Sequence, residues 1–300
     1  RRFSPTMPGV HHVPYPDLYR RPEGMDADAY SLACARYIEE RLFKTNVAPE
    51  EVAAIFVEPV QGEGGYVPAP ALFMQELRKI CDKHGILLVA DEVQSGVART
   101  GKWWAIQHTG VEPDIVCCAK GIASGMPLGI CMTKAEIMDW IPGSHASTFG
   151  GNPVAIAAAL ATLDVIEREG LRNSAEVGAY ILDRMQSWPA KHALVGDVRG
   201  RGLMIGVELV RNKKTKERAG AERDRVVEAA FTKGLLVLGC GENTVRISPP
   251  LIITKQQADI AMDILEQAIE DVQRGVEPEV ETPSKEVAPL SSAGSMPVGS

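Results

Sequence analysis

An α/β fold, a mostly parallel sheet covered by helices with a smaller C-terminal α+β domain, is predicted by three features of this 300-residue chain. Apolar runs of strand length recur at 53–60, 86–93 and 114–119 (AAIFVEPV, ILLVADEV, DIVCCA), and runs without polar alternation belong to strands buried on both faces. Segments of helical periodicity alternate with them, as in a sheet covered by helices. Near residue 170 the texture changes to shorter strands and helices, which places a large domain at 1–169 and a small one at 170–276.

Residues 1–24 hold five prolines and read as an extended connection. A helix is predicted over 25–45, because Leu32, Ala35, Ile38 and Leu42 recur at three- and four-residue spacing. The glycine-rich QGEGGY follows the 53–60 strand. Pro70 then stands at a first helical position, and a helix over 72–84 is closed by Gly85. The strands at 86–93 and 114–119 end in charge, and 128–132 is a fourth strand. An alanine-rich helix over 153–168 has Asn152 as its cap. In the small domain, helices are predicted over 174–188, 221–233 and 254–273, and strands over 202–210 and 235–238. Residues 277–300, rich in Pro, Ser, Glu and Val without periodicity, read as a disordered tail.

A net charge of −7 argues against a nucleic-acid partner, since phosphate neutralisation needs clustered Lys and Arg. The longest basic run, Arg211-Asn212-Lys213-Lys214, reads as a turn. No apolar stretch approaches the ~18 residues of a membrane span, and the first residues lack a charged-then-apolar signal pattern. A cytoplasmic protein without membrane or nucleic-acid partners is expected. The six cysteines lack C-x-x-C spacing and read as buried free thiols. No His, Cys and Asp set has metal-ligand spacing, so no metal is expected.

Ligand sites of α/β folds lie at the C-terminal ends of parallel strands, and two predicted strands end in chemistry: Asp91-Glu92-Val93-Gln94 and Lys120-Gly121. A lone lysine after an apolar run is an ordinary strand end. An acid at the end of the preceding strand makes the pair a candidate site. A lysine amine whose pKa is lowered by burial can condense with an aldehyde. The ring of pyridoxal 5'-phosphate (PLP) is an electron sink only while its nitrogen stays protonated, and a carboxylate against that nitrogen keeps the proton on. Strand alternation puts Asp91 and Val93 on one face. Asp91 then meets the ring nitrogen, Val93 packs on the ring, and Gln94 reaches the phenolic oxygen.

The segments VEPVQGEGG (57–65), LLVADEVQSGVARTGK (87–102), PDIVCCAKGIASGMPLG (113–129), STFGGNP (147–153) and RISPPL (246–251) resemble, in order, the class III aminotransferases. That group includes the 4-aminobutyrate, ornithine and acetylornithine aminotransferases. The resemblance implies a fold-type-I PLP transferase that holds the cofactor as a Schiff base on Lys120. It places Asp91 at the pyridine nitrogen, Val93 on the ring face and Gln94 at the ring oxygen. It implies that Thr148 reaches the cofactor phosphate of the neighbouring subunit, which makes the protein a homodimer with shared sites. Arg246 grips a substrate carboxylate, a task suited to a bidentate guanidinium. Glu63 gates Arg246 according to whether the substrate offers a distal or an α-carboxylate, and Glu58 is a supporting acid.

Other residues read as structural. His145 is a loop contact, Trp103 and Trp104 are packing residues, and Gly200-Arg201-Gly202-Leu203 is a turn into a strand. Arg99 has no role derivable from the sequence. The implied activity is amino transfer from an ω-amino acid, 4-aminobutyrate first, to 2-oxoglutarate, with Lys120 as proton shuttle. Ornithine and acetylornithine stay open as donors, as does an amino-acid racemase on the same scaffold. The family's Gly-Ser-(Glu/Asp)-Ala turn for the cofactor phosphate and its second ring-stacking aromatic are not found. An N-terminally truncated chain is therefore expected, with an inactive fragment as the non-enzyme alternative.

Overall fold

The structure, a computed structural model, describes residue 5 and residues 7–276; the tail predicted at 277–300 lies outside the described residues. Asp26 caps the first helix by accepting from the amides of Asp28 and Ala29. The helix predicted over 25–45 is found as α1 (Ala27–Tyr37), a π-helical turn (Ile38–Leu42) and α2 (Phe43–Thr45). β1 (Ala54–Val57) follows, then β2 (Val60–Gln61) and β3 (Val67–Pro68), which pair antiparallel around the glycine-rich turn. α3 (Ala71–His84) has Pro70 as its cap and stops at Gly85, whose φ of +69° is the left-handed conformation that ends helices. β4 (Leu87–Asp91), β5 (Ile115–Cys118) and β6 (Ile130–Thr133) complete a sheet of order β1–β4–β5–β6, parallel except for the last pair.

Burial of β1 is less complete than predicted. Ile55 and Val57 face a core built with α1 and α3, but alternation turns Phe56 to the opposite face, where it is 73% exposed. The strand predicted at 86–93 stops at Asp91. The Glu92 amide makes the last ladder bond, to the Cys117 carbonyl (2.8 Å), and Asp91 Oδ1 then captures the Val93 amide (3.0 Å) in an Asx-type turn. Val93 and Gln94 therefore lie on a turn, and strand alternation does not align Val93 with Asp91.

α4 (Pro153–Val165), capped by Asn152 as predicted, runs through a π-helical turn (Ile166–Gly170) into α5 (Leu171–Met185), so the helix is continuous across residue 170. Then come α6 (Trp188–Lys191), β7 (Val195–Arg201), β8 (Met204–Asn212), β9 (Glu217–Arg218) and α7 (Gly220–Thr232). β10 (Leu238–Cys240), β11 (Thr244–Ile247) and α8 (Lys255–Gln273) complete the described chain. The second sheet is antiparallel, of order β10–β11–β8–β7 with β9 on β8. Its core joins Ile205, Val207 and Leu209 to residues of α5, α7 and α8. The sequence does not mark β7 or β11, because glycine and arginine interrupt the first and the second is only four residues long.

Four of the six cysteines are buried; Cys117 is half-buried and Cys131 is exposed on the edge strand β6, a departure from the expected burial. Among the described residues, no helix is long and apolar enough to cross a membrane, and no His, Cys, Asp and Glu group could hold a metal.

Candidate active site

The ladder of β5 ends at Cys118, and Lys120 then opens a 3-10 turn (Lys120–Ala123) with a φ of +44°. A left-handed backbone on a residue with a side chain costs about 1–3 kcal/mol, and such strain clusters at functional sites. Lys120 is exposed rather than buried as predicted. It stands past the end of the strand, at the wall of an open cavity of about 360 Å³, so the burial of β5 does not extend to it. Glu63, Tyr66, Val93, Gln94, Arg99 and Arg246 share that wall.

Arg246 lies on β11 between Val245 and Ile247, which face the core of the second sheet; alternation points Arg246 away from it. Its Nη1 donates to Glu63 Oε1 (2.6 Å), and Gln94 Nε2 donates to the same oxygen (3.1 Å). Two residues singled out in the sequence thus converge on one atom of a third. The Gln94 amide first, and the Arg246 guanidinium with it, hold the Glu63 carboxyl below the usual carboxylate range. Because Glu63 is 72% exposed, solvent screens the ion pair and it can open readily. A Cβ at Gly62 would fall 2.5 Å from the terminal amide of Gln94, so a side chain there would displace that amide from Glu63.

Asp91 closes β4 opposite Cys117, in a recess lined also by His11, His12, Tyr15, Glu58 and Gln61. The hairpin that carries Glu58 and Glu63 and the turn that begins at Asp91 wall both this recess and the Lys120 cavity. Glu58 Oε2 accepts the Gly62 amide (2.7 Å). Burial pushes the Glu58 carboxyl up; the charge of Asp91 pushes the same way, and that of Lys120 opposes it. Lys120 and Asp91 therefore stand at the same end of adjacent parallel strands, both within electrostatic reach of one carboxylate.

Nothing in the sequence distinguishes Glu92, Tyr66 or Arg99, yet all three shape the site. Glu92 is fully buried; its Oε1 accepts the Ile106 amide (2.8 Å) and its Oε2 the Ser95 hydroxyl (2.6 Å), which fixes the loop bearing Val93 and Gln94. Tyr66 is buried on the cavity wall in a left-handed conformation (φ +53°). Thr148 does not line the cavity. It lies in the stretch 138–151, where every residue is exposed, including Trp140, Ile141 and Phe149. His145 stands edge-on to Trp140, with ring centroids 6.0 Å apart, and Trp103 and Trp104 pack against core residues.

The donor set fits PLP. An amine and a carboxylate on neighbouring strand ends match the aldehyde and the pyridine nitrogen, and Val93 supplies an apolar wall.

Comparison with known proteins places this site in context. The class-III aminotransferase family pattern matches residues 1–269. The chain is 47% identical to the leucine/methionine racemase of Thermococcus litoralis, over 89% of this chain and 60% of that protein. It is 38% identical to a probable 4-aminobutyrate aminotransferase of Bacillus subtilis, over 89% of this chain and 62% of that one. An amine transaminase from an uncultivated Pseudomonas species, solved in PLP-bound form, superposes with a TM-score of 0.84 at 38% identity, covering 90% of this chain and 64% of that chain. The chain thus spans about three fifths of the length of the curated relatives it matches.

Proposed function

The chain belongs to the class-III aminotransferases, a PLP-dependent family of fold-type-I architecture, and from that premise we propose amino transfer by the whole protein from an ω-amino acid to 2-oxoglutarate. 4-Aminobutyrate is the first donor. The observation that carries this reading is the 2.6 Å contact between Arg246 and Glu63. While paired, Arg246 does not draw a carboxylate, so a donor whose only carboxylate is distal enters with its amine towards Lys120. When the exposed Glu63 turns away, the guanidinium fork takes the α-carboxylate of the 2-oxo acid.

PLP, when bound, supplies an aldehyde that holds the substrate nitrogen and a cationic ring that draws electrons from the adjoining carbon. Lys120 Nζ takes the proton from that carbon and delivers one back. Asp91 keeps the ring nitrogen protonated, Val93 covers the ring face, and Gln94 serves the ring oxygen as well as Glu63. Thr148 serves the neighbouring site of a homodimer in this reading. Its place in an exposed stretch with Trp140 (59% exposed) and Phe149 (70%), apolar surface that a partner subunit would bury, supports that assignment.

A second reading, amino-acid racemisation, is favoured by the 47% identity to a racemase against 38% to the probable 4-aminobutyrate aminotransferase. The same lysine takes the proton in this reading, and a second proton donor returns one to the original carbon from the opposite face. The deciding experiment incubates the full-length, PLP-loaded protein with single donors, with and without 2-oxoglutarate. Glutamate formed from 4-aminobutyrate sustains amino transfer. Inversion of L-leucine or L-methionine without any 2-oxo acid, and with no glutamate formed in the other arm, replaces it with racemisation.

A further inference from the structure

We propose that Arg99 is a positioning residue: it ties the loop carrying Val93 and Gln94 to the segment that follows Arg246, and so sets where Arg246 meets a substrate carboxylate. The inference rests on the role given to Arg246 above, but not on which reaction follows binding.

Arg99 belongs to the loop between β4 and the 3-10 turn at Ala105–His108. The two residues before it, Val97 and Ala98, have φ values of +56° and +68°, conformations that L residues avoid. The reversal they make is held by bonds from the Arg99 amide to the Gly96 carbonyl (3.3 Å) and from the Gly101 amide to the Ala98 carbonyl (3.0 Å). It delivers Arg99 to the second sheet, where contacts run in both directions. Arg99 Nη1 donates to the carbonyls of Pro249 (2.5 Å) and Leu203 (3.4 Å). The Arg99 carbonyl accepts the Leu203 amide (3.0 Å) and the Ser174 hydroxyl (3.0 Å).

Pro249 lies two residues beyond the end of β11, the strand of Arg246, so this bond acts close to the carboxylate-binding group. The neighbouring approach is backbone to backbone: a Cβ on Gly202 would fall 2.5 Å from the Thr100 carbonyl carbon. Little slack remains for the junction to slide. The guanidinium borders the same cavity as Lys120 and Arg246, and among the described residues it forms no ion pair. Burial accordingly lowers its pKa. A tie made only for stability could use apolar packing without desolvating a cation. Both side-chain bonds leave one nitrogen, Nη1, whose two N–H groups are held in the guanidinium plane and so fix the directions to carbonyls on two segments, which a freely rotating lysine ammonium does less well.

The test uses the full-length protein loaded with PLP. Calorimetry gives the Kd of glutarate, a dicarboxylate with no amine to react. Hexylamine, an amine without a carboxylate, is titrated by the shift it causes in the cofactor absorbance. Arg99→Met is expected to weaken glutarate about tenfold and Arg99→Lys by less, with the hexylamine midpoint unchanged. In an Arg246→Ala background, Arg99→Met should add no further loss. Equal losses for both ligands, or additive losses in the double variant, overturn the proposal. Glutarate bound by Arg246→Ala as tightly as by the unaltered protein unseats the role of Arg246, and the inference with it. Binding abolished by Arg246→Ala but untouched by Arg99→Met overturns the inference alone. Should Arg99→Met fail to fold, Arg99→Lys decides: weakened glutarate with unchanged hexylamine sustains the proposal, and unchanged glutarate overturns it.

Discussion

The two sheets differ in what they leave open. In the antiparallel sheet, Ile205, Val207 and Leu209 of β8 are 0% exposed, closed in by α5, α7 and α8. In the parallel sheet, β1 shows Phe56 to solvent, and the chain beyond β4 and β5 passes through left-handed residues at Val97, Ala98 and Lys120. Both sheets have buried cores, but the open one also ends in the turns that carry the candidate chemistry. Arg246 belongs to the first by its backbone and to the second by its side chain. In the proposed reaction a substrate charge would be gripped from a rigid strand, and the proton moved by a group on a strained turn.

Lys120→Ala in the full-length protein puts the greatest strain on this division. Turnover is expected to fall by up to about 10⁴-fold, with loss of the cofactor absorbance band, since the general base is gone. In this chain without the cofactor, the urea midpoint should stay where it is, because the side chain is exposed. Retained turnover would remove Lys120 from the chemistry, and a collapsed midpoint would show that this turn is structural after all.

Ile205→Ala should do the reverse. Removing a fully buried side chain from β8 is expected to lose about 2–5 kcal/mol of stability, whereas Phe56→Ala in this chain should stay within about 0.5 kcal/mol. Urea unfolding measures both, and equal losses would erase the contrast between the sheets.

A smaller effect concerns Glu92. Burial first, with Asp91 nearby adding to it, raises its carboxyl above the ordinary range, against the bonds from Ser95 and Ile106. The folded state therefore holds that proton more tightly than the unfolded one. Its contribution is full below the unfolded pKa and is lost as pH rises through the higher folded value. Glu92→Gln keeps an acceptor for the Ile106 amide and does not titrate. The variant should gain on wild type from about pH 4 upward, read from urea midpoints at a series of pH values. A difference constant across that range would remove the titration from the account.

The chemistry was more legible in the sequence than the machinery that holds it. Lys120 and Asp91 announce themselves as polar residues ending apolar strand runs, a local pattern, and β4 and β5 do lie side by side. Arg99 carries no such mark, because its partners Leu203 and Pro249 are 104 and 150 positions away. Glu92 looks like one more polar residue after a strand; only burial shows that it braces the loop from within. Condensation with an aldehyde favours a buried amine, yet Lys120 is exposed, because exposure is set by what faces the strand's end.

By itself the sequence determined the elements with clear periodicity, their order and the residue types able to form an amine–acid pair, since hydrophobic spacing and capping act over a few neighbours. The cap at Asn152 illustrates this, acting within three residues. Only the tertiary structure decided that β4 stops at Asp91, because that end is set by a bond to Cys117 on another strand. It alone brought Gln94, 31 positions from Glu63, onto the carboxylate oxygen that Arg246 also holds. Such meetings depend on how two separately packed sheets come together, and that is a property of the whole fold rather than of any segment.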